Sequence, residues 1–290
     1  MENTHCIICS CKNASHFITL NDRLSKSAQK YTLVRCNCGF VYLNPRPSVE
    51  DIGQYYQSED YDPHNNSLNG IWNSIYHFVQ QLSLRWKYRI IRSYIQRGRL
   101  LDIGGGKGDF VEFIYDKGWD VTLQDNLVDL YKKKNSSSFV SDLIDLDPLA
   151  KFDVITLWHS LEHIHDIKNL FDNLSNLLID SGILMIAVPN FFAPERNFYK
   201  HNWAPYDAPR HLYHFSLDRL KELCQQNGYE IIQKYSLYQD LPYNVLLSAT
   251  NFYPLQFIKS IFVICYSFLY NICAGPGYSS SLLIVCRKKI

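Results

Sequence analysis

The chain of 290 residues has almost no net charge: 29 Lys and Arg stand against 28 Asp and Glu, for a balance of +1. Without a basic excess there is no general attraction to nucleic acid, so a small-molecule partner is expected instead. The start, Met1 to Lys12, lacks the apolar segment of a signal peptide and is polar and cysteine-bearing. The expectation is a chain that begins in the cytoplasm. There is no internal repeat and no low-complexity tract; Lys132-Lys133-Lys134 reads as a solvated helix end. Long apolar runs are absent but for one, Asn251 to Cys273, where Lys259 is the only charge. That run contains Asn, Gln, Ser and several Tyr, and a single crossing would strand the last β-strand on the far side of a membrane. A helical insertion that covers the site or rests on a membrane face is expected, making the protein cytoplasmic or peripheral at the inner face of a membrane. With no oxidising compartment indicated, the nine cysteines read as thiols or metal ligands before disulfides.

What is present centres on Arg99 to Phe110, where the short apolar run Leu100 to Ile103 meets glycines and then a helical segment, Phe110 to Lys117. Such a corner offers glycine backbone for close approach and free N–H groups at a helix start. A P-loop is excluded because Gly106-Lys107 is followed by Gly108, where a Ser or Thr is needed. A dinucleotide site is disfavoured because Asp109 stands at the third glycine position, a poor neighbour for pyrophosphate. Asp102, directly before the turn, adds a second acid, so the corner suits a ligand with a cationic amino-acid end. About twenty residues on, after a second strand at Trp119 to Gln124, Asp125 is placed to accept hydrogen bonds from ribose hydroxyls.

The spelling Leu-Asp-Ile-Gly-x-Gly-x-Gly-x-Phe resembles motif I of the class I S-adenosylmethionine-dependent methyltransferases. The resemblance implies an α/β fold: a Rossmann-like sheet of seven strands, with Asp102, Gly104 and Gly106 on the methionine part of the cofactor. It also implies that Asp142, after a third strand at Ser138 to Val140, contacts the adenine amino group, although a turn-capping role fits that residue equally.

The fourth strand, Phe152 to Leu157, leads into Trp158-His159-Ser160-Leu161-Glu162-His163-Ile164-His165-Asp166. In a parallel sheet, ligands bind beyond the strand C-termini, so this cluster, Trp158 included, faces the cofactor. Its spelling matches one branch of the same family. Three readings stand for it. His159 handles a proton while Glu162 and His163 orient the substrate; or His159, Glu162 and His163 hold a divalent metal, with a parallel in quinone-biosynthesis O-methyltransferases; or Glu162 and His163 brace the loop. A buried strand follows at Ile183 to Val188 after the amphipathic helix Ile167 to Ile179, and a helix at Leu217 to Asn227 is capped by Ser216. The last strands are Tyr229 to Tyr238 and Ser280 to Lys288.

Between them, Pro209-Arg210-His211-Leu212-Tyr213-His214-Phe215-Ser216 again resembles this branch. In related sugar C-methyltransferases the first His of such a segment acts near the reacting carbon, which by position is His211. There a glutamate precedes it; here Arg210 does, a residue suited to a substrate carboxylate or phosphate. His214 reads as bracing.

Residues 1–45 are expected to form a small zinc-binding module. Cys6-x-x-Cys9 and Cys36-x-Cys38 suit a tetrahedral site, with Cys11, His5 or His16 as substitutes because the second pair has one spacer. So small a unit has little core, and zinc would supply the missing stability. Residues 46–97 form a linker and a helical cover over 70–97, with Val79, Leu82, Trp86, Ile90, Ile91 and Ile95 on its apolar face; residues 98–290 form the cofactor-binding domain. The order of cysteine pairs, Asn44-Pro45-Arg46-Pro47 and paired tyrosines looks like the amino-terminal module of metabolite and deoxysugar methyltransferases. That likeness makes Tyr55, Tyr56 and Tyr61 candidates for substrate contact. The expected activity is methyl transfer from S-adenosylmethionine to a small acceptor at oxygen or carbon, with a non-catalytic assembly module as the rival.

Overall fold

A computed structural model of the chain describes residues 1–25, 28–56, 71–126, 138–249 and 253–289, and for 71–78 the backbone alone. Tyr61 and Lys132-Lys133-Lys134 lie outside the described residues. The chain opens with an antiparallel ladder, β1 (Ala14–Asn21), β2 (Lys30–Cys36) and β3 (Val41–Leu43). Short α1 (Val49–Ile52) is capped by Ser48, and long α2 (Ile71–Tyr94) approaches the main sheet.

The main sheet alternates strand and helix: β4 (Arg99–Ile103), α3 (Asp109–Tyr115), β5 (Asp120–Gln124), β6 (Ser138–Val140), β7 (Phe152–Trp158), α4 (Ile167–Leu177) and β8 (Leu178–Pro189). Then come α5 (Glu195–Tyr199), β9 (Tyr213–His214), α6 (Leu217–Gln226), β10 (Tyr229–Ser236), α7 (Asp240–Ser248), α8 (Pro254–Ala274) and β11 (Ser281–Lys288). The seven strands lie in the order β10-β11-β8-β7-β4-β5-β6. From β8 to β6 the pairing is parallel, and β11 enters antiparallel between β8 and β10. The expected seven-stranded α/β sheet is therefore the observed one.

Central strands are apolar on both faces because helices cover both. Leu100, Leu101, Val154, Ile155 and Ile183 to Val188 are fully buried. In α4 the inward row Ile167, Leu170, Phe171, Leu174 and Leu177 is buried, and Asp166 accepts the Asn169 N–H at its start. For α2 the second half of the expected face is buried and the first half is not. Val79 and Leu82 are exposed, while Leu84, Ile90 and Ile91 enter the core. The apolar spacing extends beyond the neighbours that the helix has among the described residues.

The run at 251–273 gives α8, whose polarity is turned around. Its buried residues are Ser260, Val263, Ser267 and Asn271, whereas Leu255, Ile258, Phe262 and Leu269 are exposed. By length and composition it is the one helix among the described residues that is long and apolar enough to cross a membrane.

The amino-terminal ladder takes its fourth strand from far along the chain. β9 pairs with β3, Val41 opposite His214 and Tyr42 opposite Tyr213. Arg46 ties the same parts together, donating to Glu2 Oε1 and to the Tyr213 hydroxyl, both at 2.7 Å. Arg210 is the deepest link. It is fully buried, donates to Asp22 at 2.7 Å and Asp207 at 2.9 Å, and reaches the Tyr55 carbonyl at 3.3 Å. This corrects the expectation that Arg210 binds a substrate anion: two carboxylates of the chain already occupy its fork.

Arg210→Ala removes the buried cation shared by Asp22 and Asp207, leaves Asp207 only the part-exposed Arg23 at 3.5 Å, and should lower stability by about 3 kcal/mol in urea unfolding; a loss below about 1 kcal/mol would contradict this account. Burial alone would raise the Asp207 carboxyl, but Arg210 overrides it and holds it down at about 2. A carboxylate whose folded pKa lies below its unfolded one stabilises at neutral pH and loses that contribution as pH falls from about 4 towards 2. Melting temperatures should drop over that window by an amount worth about 2 kcal/mol, and Asp207→Asn should flatten the drop.

Candidate functional site

The site lies beyond the C-terminal ends of β4, β5 and β7, where the sheet order places three chemically dense loops side by side. Gly104, Gly106 and Gly108 all take positive φ, which lets the chain turn sharply from β4 into α3. Close approach matters as much as φ. A Cβ on Gly104 would meet Ser160 Cβ at 2.5 Å, and one on Gly105 would meet Asp102 Oδ2 at 2.5 Å. A Cβ at Gly106 would meet nothing within 4 Å, so this glycine faces open space. The loop is pinned below by Gly104 N–H donating to the Gln124 carbonyl and by Ser160 Oγ donating to the Ile103 carbonyl, both at 2.8 Å.

Asp102 is buried, and burial pushes its carboxyl up to about 7 although Thr156 Oγ1 donates to it at 2.5 Å. Asp125 accepts from the Gly106 N–H at 2.8 Å, which joins the two expected cofactor-binding acids through one turn. Trp158 stands edge-on to Phe110 with ring centroids 5.5 Å apart, and its buried Nε1–H has no hydrogen-bond partner among the described residues. A cation already visits this wall: Lys87 Nζ lies 4.2 Å from the Trp158 ring centroid and within electrostatic reach of Asp102 and Asp240. The expected cofactor residues Asp102, Gly104, Gly106, Asp125 and Trp158 thus come together at one corner, and its acids, aromatic faces and open glycine turn fit a cationic amino-acid end. Asp142 is engaged otherwise. It accepts from the Ile144 N–H at 3.1 Å in a reciprocal cap with Asp145, so the structure gives it the turn-capping role.

Across the pocket, the two histidine-rich loops meet. His159 sits in the left-handed region at φ 55°, with Nε2 2.9 Å from Asp240 Oδ2 and Nδ1 3.7 Å from Glu162 Oε1. Burial would lower its pKa, yet Asp240 and Glu162 more than reverse that and push it up to about 10. A ring that is already protonated accepts no further proton, so His159 is not the base that its sequence position suggested. His163 is the opposite case: burial and then the neighbouring His211 lower it to about 4, which keeps it neutral.

The expected trio His159, Glu162 and His163 is not the one that forms. Glu162, His163 and His211 do converge, their ligand-type atoms all within 4.8 Å of one another. Glu162 is fully buried, and neither carboxylate oxygen has a hydrogen-bond partner among the described residues. Burial would raise its pKa, and His159 holds it down. Tyr56 joins this face, its hydroxyl 2.9 Å from His163 Nδ1. Tyr55 does not: its ring packs edge-on to Tyr31 and its carbonyl serves Arg210.

The cysteine pairs also converge. Cys6, Cys9, Cys36 and Cys38 have all four sulfurs within 4.8 Å of one another, with Cys6–Cys38 at 3.6 Å and Cys9–Cys36 at 3.4 Å. Thiolates about 2.3 Å from one tetrahedral zinc lie about 3.8 Å apart, so the set fits that ion. The single-spacer pair works because Gly39, at φ 92°, closes a turn with its N–H on the Cys36 carbonyl. Two of the three substitute ligands are engaged elsewhere: Cys11 bonds the Asn13 carbonyl and His16 bonds Thr19.

Lys87, Asp240, Asp22 and Asp207 carry much of the site's electrostatics and were not apparent from the sequence. Only Asp207 had a signal, its spacing of three from Arg210.

The chain matches the model of a methyltransferase domain over residues 76–234. Among solved structures, a Burkholderia thailandensis 1,6-didemethyltoxoflavin-N1-methyltransferase, with 1,6-didemethyltoxoflavin and S-adenosylhomocysteine bound, aligns with 92% of this chain and 98% of its own, at 16% identity and a TM-score of 0.50. A mycolic acid cyclopropane synthase complexed with S-adenosylhomocysteine aligns with 72% of this chain and 85% of its own, at 14% identity and a TM-score of 0.50. At these identities the likeness is one of fold. No curated protein sequence matches the chain.

Proposed function

For this chain, which belongs to the methyltransferase-domain family, we propose methyl transfer from S-adenosylmethionine to a small biosynthetic metabolite, a sugar or similar acceptor, at oxygen or carbon. The observation that carries this reading is the division of one pocket into two chemistries. On one side are Asp102, Asp125, Trp158 and the glycine turn; on the other are Glu162, His163 and His211. The first side suits a cationic cofactor, the second an acceptor with a hydrogen to give up.

Bound S-adenosylmethionine supplies a methyl group already activated by its sulfonium. The chain's own residues then have to align the acceptor and deal with its proton. Asp102 and the turn Gly104 to Gly106 hold the amino-acid end, and Asp125 takes the ribose hydroxyls. His211 Nδ1 is 2.8 Å from the Pro205 carbonyl, which can only accept, so Nδ1 carries the hydrogen and the Nε2 lone pair meets the acceptor. Tyr56 and His163 border the same space.

Calorimetry should give one S-adenosylmethionine bound per chain and no binding of NAD; absence of the former would overturn the proposal. With a turnover assay over candidate sugars and phenols, read as S-adenosylhomocysteine release, His211→Ala should lose at least about 100-fold. We further propose a structural zinc in the cysteine cluster. Elemental analysis of gently purified protein should show zinc in at least a 1:1 ratio, reduced by one equivalent in Cys36→Ser, and a sub-stoichiometric wild type would count against it.

A further inference from the structure

Glu162 presents an unusual problem for a folded chain. Its side chain is about 1% exposed, and both oxygens lack a hydrogen-bond partner among the described residues. A buried carboxylate in this state is costly unless a cation meets it. The nearest cationic side chain, His159, comes no closer than 3.7 Å, and Asp240 lies 2.9 Å from the other nitrogen of that ring. The charge of His159 is thus shared with a second acid, and Glu162 is left with donor capacity facing His163 and His211.

The tautomers of those two rings follow from their partners. His163 Nδ1 is 3.0 Å from the Arg210 carbonyl, and His211 Nδ1 is 2.8 Å from the Pro205 carbonyl. A carbonyl oxygen only accepts, so each ring carries its hydrogen on Nδ1 and keeps a lone pair on Nε2. Imidazoles that ligate metals are held in this manner, one N–H anchored on a backbone carbonyl and the other nitrogen free to donate. Both anchoring carbonyls belong to the loop stiffened by the buried Asp22–Arg210–Asp207 network, and His211 N–H itself donates to the Asp207 carbonyl at 3.0 Å. The rings are therefore set before any ligand arrives.

We propose that Glu162, His163 and His211 form a binding site for a divalent transition cation of the zinc class, separate from the cysteine cluster. Two imidazoles and one carboxylate favour such an ion over magnesium or calcium, which prefer oxygen-only shells. Three protein ligands leave a coordination position open. Resting on the reading of this face as the acceptor side, the open position takes the acceptor's oxygen. His211 then serves as a ligand, and the cation lowers the pKa of the bound hydroxyl. Its O–H bond breaks, the proton passes to solvent, and the electron pair remains on oxygen for attack on the methyl carbon.

The test is a titration with cobalt chloride of the full-length protein, first brought to one bound zinc per chain by dialysis against a weak chelator, followed by visible absorption and without cofactor or acceptor. Wild type should take up about one cobalt per chain, with weak ligand-field bands and no thiolate charge-transfer band. Glu162→Gln and His211→Gln, each shown to be folded by circular dichroism, should bind at least about tenfold more weakly. No ligand-field bands in wild type, bands of thiolate character only, or bands unchanged in both variants would each overturn the site. Because His211 is only half-buried, that variant and the wild-type stoichiometry decide the matter even if Glu162→Gln does not fold. A blank titration leaves methyl transfer standing, since calorimetry with S-adenosylmethionine tests that reading alone.

Discussion

The guanidinium of Arg210, sealed between Asp22 and Asp207, is the contact on which the arrangement of the acceptor side depends. Each partner comes from a different part of the chain: Asp22 from the end of the first strand of the amino-terminal ladder, Asp207 from the loop after β8. Arg210 and Asp22 are out of water, so breaking their pairing leaves a buried charge rather than a solvated one. The next residue along is His211, and the Arg210 carbonyl anchors His163. One ion network thus fixes both the seating of the amino-terminal module and the orientation of two imidazoles. Stability and acceptor recognition share the same side chains, and the module is part of the site's construction.

Charge is distributed across the pocket in a way that separates roles by environment. Asp102 is buried with a carboxyl near neutrality, poised to ionise fully when a cation approaches. His159 is held protonated by Asp240, His163 is kept neutral by burial, and Glu162 remains anionic. Three titratable residues in five positions of sequence therefore have three different protonation behaviours, decided by which neighbour each one faces. Lys87 adds a positive charge 4.2 Å from the Trp158 ring centroid and links helix α2 to that wall of the pocket.

Much of this was legible in the chain itself, and the parts that were not have a common cause. The glycine turn, Asp102 and Asp125 could be placed because a strand, a tight turn and a helix start constrain them locally, and the sheet then fixes their relation. The cysteine set was legible for the same reason: two short turns bring each pair together, and Gly39 explains the shortened one. Arg210 was misread because its partner Asp22 lies 188 positions away and no local spacing announces it. His159 was misread because Asp240 arrives from the start of α7, after β10. His159, Glu162 and His163 looked like one side of a turn, whereas His159, at positive φ, pairs with Asp240 and it is His211 that converges with Glu162 and His163. The face of α2 at Val79 and Leu82 was overcalled because periodicity records what a helix can bury and not where its neighbour ends.

The position of His211 follows from how the fourth strand of the amino-terminal ladder is made. β9 is only two residues long, Tyr213 and His214, and it pairs with β3 by completing an edge that the ladder would otherwise leave open. Leu43 N–H donates to the Leu212 carbonyl and Leu212 N–H to the Glu162 carbonyl, so the strand is stitched to the ribbon on one side and to the β7 loop on the other. His211 has no freedom to leave this seam. Tyr56 meets His163, and His163 stands edge-on to His211, so the amino-terminal half borders the same space as this ring. Under the proposed reading, the acceptor meets residues of the amino-terminal half and the methyl donor meets the sheet. A chain of this construction can change its acceptor by altering the ribbon and its linker, leaving Asp102, Asp125 and the glycine turn as they are.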